Sequence, residues 1–83
     1  MTDIEIFENI KKIINKQFGI DEEKIEEDSY LDEDLNITDL EIEDLISNIA
    51  EKFNLVIPEE KIIAFKKISD LISYIYENAD TTN

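Results

Sequence analysis

At 83 residues the chain is long enough for one small domain and too short for a second core, and its 42% apolar content suffices for a modest core. Its 22 acids against 8 lysines, with no arginine and no histidine, leave a formal charge of −14, which excludes a basic phosphate-binding face and disfavours nucleic acid and anionic membranes as partners. The lack of cysteine and histidine removes disulfides, thiolate metal sites and the commonest general base, so the chain is not expected to be an enzyme.

The opening MTDIEIFENI is acidic where a secretion signal would be basic, and no apolar run nears the ~20 residues that span a bilayer, so a soluble cytoplasmic monomer is expected. Thr2-x-x-Glu5 is a capping box opening a first helix, with Ile4, Phe7, Ile10, Ile14 and Phe18 at helical spacing. Gly19, the one glycine, closes it at the position where a left-handed conformation is needed, and Lys11, Lys12 and Lys16 suit the negative end of the helix dipole. Residues 20–36 form a long connection, which in a small domain is either functional or pinned; Ile20, Ile25, Tyr30, Leu31 and Leu35 are expected to pin it.

Thr38-x-x-Glu41 is a second capping box, with Ile37 and Ile42 at the positions of a hydrophobic staple. Leu45, Ile46, Ile49 and Phe53 then form an apolar stripe that ends near Asn54, a residue able to take the left-handed C-terminal role. Pro58 is expected as the first residue of a short third helix, with Glu59 and Glu60 in its favourable first turn. Ile68, Leu71, Ile72 and Ile75 follow the i, i+3, i+4, i+7 pattern of a last helix. No run suggests strand pairing. The prediction is an all-α fold: one domain over 1–83, a small four-helix bundle with a long first loop and a short third helix, its core at about 3–77 and a frayed tail at 78–83.

The acidic middle has two readings. Asp32, Asp34, Asn36, Thr38 and Glu43 fall at positions 1, 3, 5, 7 and 12 of a calcium loop. The match fails where geometry is strict, because Ile37 stands where the sharp turn demands glycine and Asp39 where an apolar residue is usual. The second capping box also starts a helix inside the supposed loop. A cation-binding acidic protein is therefore kept as an alternative only, and no metal ligand set is assigned.

The second reading comes from DEDLNITDLEIEDLISNIAEKFNLVIPEE, which resembles the acyl carrier protein family. That family's signature is an acidic-Leu-Gly-x-Asp-Ser-Leu stretch opening a helix and a Phe-x-x-x-Ile-Pro-acidic segment ending it. The counterparts are Asp34, Leu35, Asn36, Ile37, Thr38, Asp39 and Leu40, then Phe53, Ile57, Pro58 and Glu59. The similarity continues forward to ISDLISYI and back through IKKIINKQFGIDEEKI, so it spans nearly the whole chain in order.

The resemblance implies an acyl-carrier-protein-like bundle whose serine, at the start of the second helix, bears a 4′-phosphopantetheine arm. Asp39 occupies that position here, and a carboxylate does not form the stable phosphodiester that a serine hydroxyl forms. Thr38 is one residue out of register and suited to capping; Ser29, Ser47, Ser69 and Ser73 lie elsewhere in the pattern. No cofactor is therefore expected on this sequence. The resemblance also implies docking of the acidic second helix to a basic partner enzyme or synthase component, with Glu41, Asp44 and Glu51 at acidic docking positions and Ile57 at an apolar one. Glu43 and Ser47 depart from positions that are usually apolar, and Ala50 from one that is usually acidic. The expectation is a carrier-like module acting by docking; the alternative is a working carrier of fatty-acid or polyketide or peptide-type synthesis whose serine has been substituted.

Overall fold

Four α-helices follow one another in the computed structural model, which describes residues 2–79: α1 (Asp3–Phe18), α2 (Asp39–Phe53), α3 (Glu59–Ile62) and α4 (Ile68–Asn78). Among the described residues there is no strand, only a lone antiparallel bridge between Tyr30 and Lys67. The fold is all-α, as the hydrophobic periodicity predicts. α1 packs against α2 and α4, and α3 lies against α2. Of the tail expected at 78–83, Asn78 is the last residue of α4, its side-chain amide donating to the Tyr74 carbonyl at 2.8 Å, and residues 80–83 lie outside the described ones.

Local chemistry sets most helix ends. Thr2 Oγ1 accepts from the Glu5 N–H at 3.1 Å while the Glu5 carboxylate accepts the Thr2 N–H at 2.9 Å, which satisfies two donors that α1 would otherwise leave bare. The Glu5 carboxylate accepts from the Thr2 N–H and also from the Thr2 hydroxyl, at 3.3 Å, and these two bonds, the backbone one first, hold its carboxyl below the ordinary value. Gly19 closes α1 at φ 74° and Asn54 closes α2 at φ 57°, both left-handed. Pro58 has extended ψ and stands just outside α3, one residue before the position expected for it; the helix begins at Glu59.

The core is built mostly of isoleucine and leucine. Leu45, Ile46, Ile49 and Phe53 of α2 and Ile68, Leu71, Ile72 and Ile75 of α4 are all buried. The stripe of α1 differs from its expected composition. Ile6, Ile10 and Ile14 are fully buried, Phe7 and Phe18 are half-buried, and Ile4 is 72% exposed. Two residues turn a helix by about 200°, so Ile4 and Ile6 cannot both face the bundle, and the Ile6 register is the one that meets α2 and α4.

The long connection is pinned, though not by every residue expected. Ile25, Leu31 and Leu35 are buried and Ile20 is half-buried, whereas Tyr30 is exposed with the Lys67 ammonium 5.1 Å from its ring centre. A 3₁₀ turn, Glu22–Lys24, capped by Asp21, breaks the connection in two. Its second half is stitched to the start of α4. The Leu31 N–H donates to the Lys66 carbonyl at 2.9 Å, the Ile68 N–H to the Ser29 carbonyl at 3.0 Å and the Ser69 N–H to the Glu27 carbonyl at 2.9 Å. Lys67 precedes α4 and supplies no capping acceptor, so the loop carbonyls take over that duty for the first helical N–H groups. Asp70 completes the junction by accepting from the N–H groups of Lys66 and Lys67 at 2.9 and 3.0 Å.

Candidate functional site

The start of α2 is delivered by a tight coil of backbone hydrogen bonds. The Asn36 N–H donates to the Asp32 carbonyl at 2.9 Å and the Ile37 N–H to the Leu31 carbonyl at 3.0 Å. Asn36 sits at φ 58°, a left-handed conformation that asparagine tolerates better than most side chains. Ile37 is 2% exposed and anchors the coil in the core, so the chain emerges with the next residues turned outward.

Thr38 caps α2. Its Oγ1 accepts from the Glu41 N–H at 3.2 Å and its own N–H donates to the Glu41 carboxylate at 2.9 Å. Asp39 is the first helical residue and is exposed, as is Leu40 beside it at 75%. Its carboxylate sits near the positive end of the α2 dipole, a favourable place for negative charge. Asp39 also borders a recess of about 270 Å³ between α2 and the α3–α4 connection, whose other side carries Ile63 and Lys66.

Three of the five candidate calcium-loop residues have side-chain oxygens turned to other work. Asp34 accepts the Tyr30 N–H at 2.7 Å, Asp32 the Glu33 N–H at 2.7 Å, and Thr38 is spent on the cap. Among the described residues no group of three or more acids is arranged to hold a metal ion.

Glu41, Asp44 and Glu51 are all exposed on α2 and lie within about 80° of one another around its axis, at 100° per residue. Leu40 and Ser47 fall on the same outward side. Ile57 is half-buried against the core and offers only part of its surface. Among the described residues the ion pair within 4 Å is Lys11–Glu8, at 3.1 Å on α1, so the three acids of α2 keep their charge unpaired within the fold. Sequence reasoning passed over two exposed apolar residues at this end, Leu40 at 75% and Ile63 at 76%. The signal for Leu40 was its position out of register with the core stripe; for Ile63, next to Ile62, the sequence carried none, because only packing decides which of the pair turns inward.

The family described as the phosphopantetheine attachment site matches residues 8–75, and the acyl carrier protein of Wolinella succinogenes is 33% identical over 73 residues, 88% of this chain and 96% of that protein. The chain belongs to the acyl carrier protein family. The acyl carrier protein of Helicobacter hepaticus is 31% identical over 75 residues, covering 90% and 99%, and that of Chlamydia caviae 37% identical over 68 residues, covering 82% and 88%. Proteins of this family are carriers and not enzymes; they hold 4′-phosphopantetheine, meet partner synthase enzymes and typically serve fatty acid biosynthesis.

A phosphodiester-linked arm needs a hydroxyl, and between Leu35 and Glu43 the one hydroxyl is that of Thr38, held in the cap. Asp39 offers a carboxylate. The groups at this turn do not fit covalent attachment of the arm. No helix of the described chain is long and apolar enough to cross a membrane.

Proposed function

We propose that this chain is a carrier-fold module that does not itself bear phosphopantetheine and acts by docking, as a cytoplasmic monomer, through the acidic face of α2 on the basic surface of a synthase component. The observation that carries the reading is Asp39: it is the exposed first residue of α2 and has no hydroxyl, and in this reading it stands at the counterpart of the family's attachment serine. The unpaired acids Glu41, Asp44 and Glu51 support the docking half, since opposite charge speeds and orients encounter with a basic patch, and the half-buried Ile57 adds a small apolar edge.

The competing reading is a working carrier whose attachment serine stands substituted by Asp39. The continuous family match over residues 8–75 favours it, because the surrounding fold that a transferase would recognise is intact. One experiment addresses both. The chain and its Asp39→Ser variant are incubated with a phosphopantetheinyl transferase and coenzyme A and weighed intact. The expected result is no adduct on the chain as it stands; an adduct there would end the proposal. An adduct on Asp39→Ser alone assigns the loss of attachment to that one side chain.

A further inference from the structure

The recess beside Asp39 has features that docking along α2 alone leaves unused. Its floor is apolar, formed by Leu31, Ile42, Ile62 and Phe65, and at about 270 Å³ it has room for one extended side chain. Three carboxylates line it, Asp32, Asp39 and Glu43, against the single ammonium of Lys66, and among the described residues none of the four is in an ion pair within 4 Å. Asp39 and Glu43 are i and i+4 on α2, neighbours on one side of the helix. Ile63 forms one lip at 76% exposure, and Leu40, which does not line the recess, follows Asp39 on α2 at 75%.

An apolar floor beneath net negative charge suits a ligand with an aliphatic stem and a cationic head. A second copy of the chain is a poor occupant, because two molecules each at −14 repel. An anion would meet three carboxylates for one ammonium. We infer that the recess receives an arginine side chain from the basic partner, its stem against Ile42 and Phe65 and its guanidinium bridging Asp39 and Glu43, with Ile63 and Leu40 covered by apolar residues that flank that arginine. Arginine fits better than lysine because its planar fork reaches two carboxylates at once. This rests on the docking reading, and it assigns Asp39 a contact of its own.

The test needs no partner. The isotopically labelled chain is titrated with n-butylguanidinium chloride at constant ionic strength and followed by amide NMR, beside titrations with n-butanol and with guanidinium chloride. Saturable shifts confined to Leu31, Ile42, Glu43 and Ile63 are expected, weakened about fivefold in the Asp39→Asn/Glu43→Gln double variant and unchanged in Ile4→Ser, an exposed apolar residue on α1. Equal affinity in the double variant, equal binding of n-butanol, or shifts spread without saturation over other acidic patches would overturn the inference. So would a dimer in sedimentation that shields Ile63. A recess that titrates as expected while reversal of Glu41, Asp44 and Glu51 leaves partner binding intact sinks the docking reading and not the site; the opposite pair of results does the reverse.

Discussion

Thr38 and Glu41 close the first turn of α2 on each other, hydroxyl to N–H at 3.2 Å and carboxylate to N–H at 2.9 Å, and Asp39 stands between them with no part in the cap. Helix stability and the chemistry of position 39 are therefore separable. Thr38→Ala should cost about 1 kcal/mol in urea unfolding, and Asp39→Ala about 0.5 kcal/mol through the dipole alone. A larger loss at Asp39 than at Thr38 would show that the carboxylate has a structural duty.

The first loop is held by a few apolar anchors. Leu31, at 1% exposure, should cost about 2–5 kcal/mol on replacement by alanine, a large share of the ~4–12 kcal/mol expected for a domain of this size. Tyr30→Ala, which removes an exposed ring and its Lys67 contact, should cost less than about 1 kcal/mol. Chemical unfolding of both variants checks the ranking.

Glu5 gives α1 a sensitivity to acid. Its folded carboxyl is held below the ordinary value, so it contributes stability that is present above the unfolded value and is lost as pH falls through the folded one. The advantage in melting temperature of the unaltered chain over Glu5→Ala should be full at neutral pH and fade below about pH 4. An advantage that is constant from pH 7 to pH 3 would mean that the charge on Glu5 plays no part in the cap.

The docking face should respond to charge and salt without unfolding. Reversing Glu41, Asp44 and Glu51 to lysine brings the formal charge from −14 to −8 and should slow association with a basic synthase component about tenfold or more, with a flatter dependence on ionic strength. Binding kinetics at two salt concentrations read both effects; because Glu41 also accepts the Thr38 N–H in the cap, the Asp44→Lys/Glu51→Lys pair, which spares the cap, should show unchanged helix content by circular dichroism and the same direction of both effects.

Much of the fold was legible because its determinants are local. Both capping boxes, Gly19 and Asn54 act within one helical turn, and the stripes of α2 and α4 repeat at a period that only a helix satisfies. Asp39 and the α2 acids Glu41, Asp44 and Glu51 were named from the family resemblance, and the structure adds that all four are exposed on α2. Ile4 was misplaced because α1 carries apolar residues at both Ile4 and Ile6, and the choice between them rests with α2 and α4.

What the amino-acid order determined by itself is where α1 and α2 begin and end and which charges α2 presents, since those depend on neighbours a few residues apart. What only the tertiary structure decided is how distant segments complete one another. The carbonyls of Glu27 and Ser29 cap α4 across some forty residues, and Leu31, Asp39, Ile63 and Lys66 meet around one recess. Periodicity carries no record of either, because backbone hydrogen bonds and cavities form between whatever surfaces the packed core brings face to face.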